Sequence, residues 1–243
     1  MVMSIKKYFV VAILCFPIYV YAEPMTIQSL PKPPELLKIY NSALRGDAKA
    51  QLKFAQYYSN IDNKNYRTYK EEFYWYKKAA EQGLPEAQVQ VAELYSRTLP
   101  FYPNISEALK WLMEAANQDY SKAQEHLAWV YLGDWGDEGA YLKNETEALK
   151  WFNKAIETRL KKLNKQDSQQ LYDLSNCYFE AVKLTPDPKD KQLLKTKGIE
   201  FLNQSIALGS YDAAESLARM SDDIPLNNQK LLYPNAFQLL VKE

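Results

Sequence analysis

The chain has 243 residues, 47% of them hydrophobic and 25% charged, with 30 basic and 30 acidic side chains. That composition excludes a disordered or low-complexity chain and allows a sizeable core. The charge balance leaves no polybasic footprint, so neither nucleic acid nor an anionic membrane is an expected partner.

The first segment, MVMSIKKYFVVAILCFPIYVYA, places Lys6 and Lys7 before an apolar run from Tyr8 to Tyr21. It ends with Val20 and Ala22 where a signal peptidase requires small side chains, the pattern of a secretory signal peptide. The run is shorter than the roughly 20 residues of a membrane-crossing helix, so no stable insertion is expected after cleavage near Ala22. The expected location is periplasmic or secreted. Cleavage removes Lys6, Lys7 and Cys15, which leaves a small negative charge and Cys177 as the one thiol. No internal disulfide can then form, and stability must come from packing.

A Pro-rich segment at 23–34 leads into a chain that repeats itself. AQLKFAQYY (Ala50 to Tyr58), AQVQVAELY (Ala87 to Tyr95), AQEHLAWVY (Ala123 to Tyr131), QLYDLSNCY (Gln170 to Tyr178) and AAESLARMS (Ala213 to Ser221) share one register. A second register holds EFYWYKKAAEQG (from Glu72), ALKWLMEAANQD (from Ala108), ALKWFNKAIETR (from Ala148) and GIEFLNQSIALG (from Gly198). In the second, Trp111, Leu112, Ala115 and Ala116 recur at i, i+1, i+4 and i+5, an apolar stripe on one helical face. LLKIYNSAL (Leu36 to Leu44) matches that register as an unpaired opening helix, and Gly46, Gly83 and Gly209 follow helix ends.

A single helix pair cannot bury its stripe, so neighbouring pairs must stack into a one-dimensional array. Ala55, Ala92, Ala128 and Ser175 mark the close approaches, and Trp75, Trp111, Trp151 and Phe201 are expected to fill the wider gaps. Asn104, Asn144 and Asn203 each open an Asn-x-Ser/Thr triplet, a pattern common by chance.

These residues resemble the Sel1-like repeat family, a relative of the tetratricopeptide repeats, most closely in FYWYKKAAEQG. The resemblance covers about 35–221 and implies an all-α, right-handed α/α solenoid of about four helix-turn-helix repeats. A segment at 222–243 is expected to cap it. The loops NIDNKNYRTYK, RTLPFYPNI and KLTPDPKDKQ depart from the family pattern, and about seven extra residues follow Arg159.

Little here points to catalysis. His126 is the only histidine and sits beside core positions, so histidine-dyad metal motifs are excluded. Cys177 lies on a helix with no histidine nearby in sequence, and the only S-x-x-K beyond the signal segment, from Ser29 to Lys32, falls in the Pro-rich segment. Members of the family associated with penicillin-like compounds carry paired cysteines that are missing here. No catalytic residue, metal or cofactor is therefore expected.

What remains is surface. In the resembling families the first helix of each pair lines a groove, facing it one before, two after, six after and nine after the starting residue. Those positions include Lys49, Leu52, Gln56, Glu86, Val89 and Lys122. The residues selected as the partner-binding groove are Glu93, Glu125, Trp129, Leu132, Tyr172, Asn176, Phe179 and Arg219. The loop YLGDWGDEGAYLKN adds Asp134, Trp135, Asp137 and Glu138 as an acidic contact for a basic partner.

The expected partner is another protein. The resemblance suggests a periplasmic immunity protein that neutralises a toxin or effector from a competing bacterium, of the type VI secretion kind. The rivals are an adaptor or regulator of envelope complexes and a hydrolase of penicillin-like or cell-wall substrates.

Overall fold

The computed structural model describes residues 34–61, 66–96, 103–135 and 139–220. The signal segment, nearly all of the Pro-rich segment and the capping segment lie outside the described residues. Among those described are ten α-helices, one 3-10 turn and no strand. Helix α1 (Pro34–Leu44) opens the array. Four pairs follow: α2 (Ala48–Ser59) with α3 (Tyr66–Glu81), α4 (Pro85–Ser96) with α5 (Ile105–Asn117), α6 (Ser121–Leu132) with α7 (Glu145–Lys162), and α8 (Ser168–Leu184) with α9 (Pro188–Ala207). Helix α10 (Tyr211–Met220) comes last, and the 3-10 turn, Ala140–Leu142, precedes α7. Each helix packs on its neighbours in sequence, as the repeat period requires.

Local chemistry sets the helix starts. Asp47, Asn104, Asn144 and Asp167 each accept a hydrogen bond from the backbone N–H three residues on, at 2.9 to 3.1 Å. Two of the Asn-x-Ser/Thr triplets are thus helix caps. At the ends, Gly83 closes α3 in the left-handed region, at φ 83°. Asp119 takes the same place after α5 at φ 53°, a conformation that acidic and amide residues tolerate better than most.

The small residues lie where helices approach most closely. Ala55, Ala92, Ala128 and Ser175 are fully buried, and the Ser175 hydroxyl donates to the Gly198 carbonyl at 2.9 Å. Gly198 takes the register place of Ala108 and Ala148. A Cβ there would stand 3.0 Å from the Phe179 ring and 3.2 Å from Tyr178 Cβ, a close crossing of α8 and α9 that an alanine would enter only if the Phe179 ring shifted by a few tenths of an ångström.

The glutamine that follows the starting alanine has a structural role. Gln51, Gln88 and Gln124 each donate Nε2 to a carbonyl eight residues back, those of Ala43, Ala80 and Ala116, at 3.1, 3.4 and 3.2 Å. Each ties a first helix to the end of the preceding helix, whose last carbonyls have no partner within the helix. Gln82 and Gln118 then donate to the Oε1 atoms of Gln51 and Gln88, at 2.7 and 2.9 Å. In the third pair that register place holds the shorter Thr158, and the buried Gln124 Oε1 has no hydrogen-bond partner among the described residues.

The aromatic positions are less uniform than their register implies. Trp75 and Trp151 are buried, but Trp111 is half-buried at the edge of the main core. Trp75 is enclosed by the Tyr40, Phe54 and Tyr74 rings, whereas Trp111 has no such cage among the described residues.

Candidate functional site

The first helices, α2, α4, α6, α8 and α10, stand side by side, with a side-chain link at every step. Gln56 of α2 donates to Glu86 of α4 at 3.1 Å. Glu93 of α4 meets Lys122 of α6 at 3.5 Å and His126 at 3.3 Å. Between α6 and α8 the link runs through α7: Arg159 donates Nε and Nη2 to Glu125 Oε1 at 2.8 and 2.7 Å, and Nη1 to Asp173 at 3.3 Å. The Cys177 thiol also donates to Glu125. The Tyr172 hydroxyl of α8 lies 2.8 Å from Ser216 Oγ of α10. In the first two steps, the residue six after one start meets the residue one before the next.

The position two after the start behaves differently from its expectation. Leu52 and Val89, expected on the groove, are buried, because this step turns under the adjacent helix. Glu125 stands at the same step, so its carboxylate enters ground that is apolar in the earlier repeats. Burial raises its pKa, and the opposing pull of Arg159 does not fully reverse this. Tyr172, at the same step, packs against the core of α9 and α10, around Leu202, Ile206 and Leu217.

Glu93 is also held by Gln90 at 3.2 Å. Desolvation lowers the His126 imidazole below its ordinary range despite the neighbouring Glu93 carboxylate, with Lys122 adding to the shift. Trp129 stands edge-on to Phe152, 5.5 Å between centroids, and with Leu132 it is half-buried against the main core. Asn176, Phe179 and Arg219 line one cleft between α8, α9 and α10. In the loop, Asp134 is exposed and Trp135 lies edge-on to His126 at 5.5 Å. Asp137 and Glu138 lie outside the described residues.

The selection of sites missed several members of the wall. Arg159 stands in the register place of Gly83, a signal visible once the repeats are aligned. Tyr141 is 91% exposed in the loop beyond Trp135, and nothing in the repeat pattern marks it. Cys177 is buried, and desolvation pushes its thiol well above the ordinary range, far from the thiolate a nucleophile needs. Among the described residues no three His, Cys, Asp or Glu side chains gather as a metal site would require, and no helix is long and apolar enough to cross a membrane.

Three stretches, residues 73–84, 85–120 and 121–157, match the Sel1 repeat. No curated protein matches the chain. A protective antigen of uropathogenic Escherichia coli, displaying an SLR fold, is similar over 76% of this chain at 24% identity and a TM-score of 0.52. The match spans 35% of that longer protein. A Sel1 repeat protein from Oxalobacter formigenes is similar over 84% of each chain, at 21% identity and a TM-score of 0.50. An immunity protein from Pseudomonas aeruginosa covers 86% of this chain and 84% of its own, at 16% identity. Its TM-score of 0.30 is too low to support an argument. The first two likenesses show the fold: an all-helical repeat array.

Proposed function

We propose that this is a non-enzymatic, exported protein that binds another protein on the face made by its first helices. The observation that carries the reading is the wall itself, in which four successive links join five helices and hold their side chains in place before any partner arrives. A preformed surface loses less entropy on binding, and its half-buried aromatics suit anchor contacts. Sel1 repeats are a protein-interaction scaffold, which agrees with that use. The loop joins this surface through Trp135, which stands edge-on to His126, and farther along it Tyr141 is exposed.

The finer reading is a periplasmic immunity protein that blocks a toxin or effector from a competing bacterium. Its support is the signal segment of the sequence together with the family resemblance. The chain is expressed from Glu23 in the periplasm with the product of the neighbouring gene and used as bait. The native chain captures that product; the double variant Trp129→Ala, Tyr172→Ala, with its folded helicity checked by circular dichroism, does not. Because Trp129 also packs on Phe152, Tyr141→Ala serves as a second variant that removes no packed ring and weakens capture through the loop. Capture unaffected by either change would overturn the assignment of this face, and a neighbouring envelope-assembly protein as the captured species would favour an adaptor.

A further inference from the structure

Among the described residues, the last first-type helix ends on an exposed side chain at a step that is mostly buried in the earlier ones. Met220 stands seven residues after its starting Ala213. The same step in the earlier first helices is half-buried at Tyr57 and buried at Leu94, Val130 and Cys177, yet Met220 is 47% exposed. It forms part of a cleft of about 590 Å³ between α8, α9 and α10, with Phe179 also in its lining. The rim is cationic: Lys183, Lys191, Lys195 and Arg219 all line it. Glu180 pairs with Lys183 at 2.7 Å and Glu215 with Arg219 at 2.9 Å. Lys191 and Lys195 have no ion pair among the described residues, so one side of the rim carries positive charge that the fold does not neutralise.

We propose that this cleft receives an acidic segment of a protein partner, with an apolar side chain seated on Phe179 and Met220 and carboxylates facing Lys191 and Lys195. The inference rests on the reading of the first-helix wall as a partner-binding face, with which the cleft is continuous through Tyr172 and Ser216. Charge complementarity selects the occupant. A purely apolar segment would leave the lysines unused, and a basic one would be repelled by them. The apolar floor adds what a surface charge pair alone does not supply, because exposed pairs contribute little.

The test uses the exported chain from Glu23 and a fluorescein-labelled peptide of four Glu-Glu-Leu triplets, followed by fluorescence anisotropy. Saturable binding is expected, weakened roughly tenfold by Lys191→Glu with Lys195→Glu and weakened by added salt. Both lysines are exposed, so the reversal leaves the melt in place. Met220→Ser weakens binding without changing its salt dependence. A Lys-Lys-Leu peptide should not bind. Equal binding of both peptides, or indifference to the charge reversal, would overturn the proposal. So would no binding at all, the result expected if residues 221–243 already fill the cleft. Phosphatidylglycerol vesicles that bind in a Lys191- and Lys195-dependent way while the peptide does not would assign the site to lipid instead. If these tests fail while partner capture still depends on Trp129 and Tyr172, the cleft assignment falls alone and the wall stands.

Discussion

Changing Trp75 to alanine lowers the unfolding free energy by about 3–5 kcal/mol, the range for truncating a large buried aromatic. The indole is 2% exposed and meets Phe54 edge-on at 5.2 Å, with Tyr40 and Tyr74 at 6.1 and 5.1 Å. These rings come from α1, α2 and α3, so the cavity would open where the unpaired first helix joins the array. The indole N–H has no hydrogen-bond partner among the described residues, so the loss there is one of packing rather than of a polar link. Trp75→Phe keeps part of that contact, opens a smaller cavity and costs less than the alanine change. Urea unfolding of both variants, beside Trp111→Ala, reads the comparison. Because Trp111 is half-buried, its truncation costs less than that of Trp75. Equal losses at the two tryptophans would contradict the described core.

The second large effect is at Arg159. Arg159→Met leaves Glu125 at a mostly buried step with no cation facing it, a loss of about 3–5 kcal/mol at neutral pH. The double change Glu125→Leu, Arg159→Met removes both charges and restores the apolar character of Leu52 and Val89 at this step, so it recovers most of the loss. The pH dependence follows from the direction of the Glu125 shift. Its folded-state pKa is raised above the ordinary carboxyl value, first by desolvation, while Arg159 pulls it down. A raised carboxyl favours folding most below its unfolded pKa, and that contribution is lost as pH rises through the folded pKa. Without Arg159 the folded pKa rises further. The Arg159→Met variant should therefore be closer to the native chain in stability at pH 5 than at pH 8. Denaturant midpoints at both values check this, and a larger loss at the lower pH would contradict the assignment.

The helix pairs and their small crossing residues were legible because burial repeats with the register: Ala55, Ala92 and Ala128 are fully buried in their successive units. The unpaired opening helix was legible for the same reason, since its residues match the second-helix pattern. What the register does not carry is the local partner of a polar side chain. Glu125 occupies a step that is apolar in the earlier repeats, and Arg159, reaching from a lengthened α7, together with the Cys177 thiol, explains how an acid is accommodated there. Trp111 keeps its register but loses the aromatic cage that surrounds Trp75, since burial depends on rings contributed by other helices. The groove pattern likewise identified residues on the first helices without showing that Glu93, Glu125 and Tyr172 also link one helix to the next.

Hydrogen–deuterium exchange of the chain from Glu23, free and with a captured partner, tests the central claim most directly. If the first helices form the binding face, the partner slows exchange along α4, α6 and α8 and in the loop around Trp135, and leaves α3, α5 and α7 largely as they were. Slowed exchange confined to α3, α5 and α7 would place the partner on the opposite face and contradict the account.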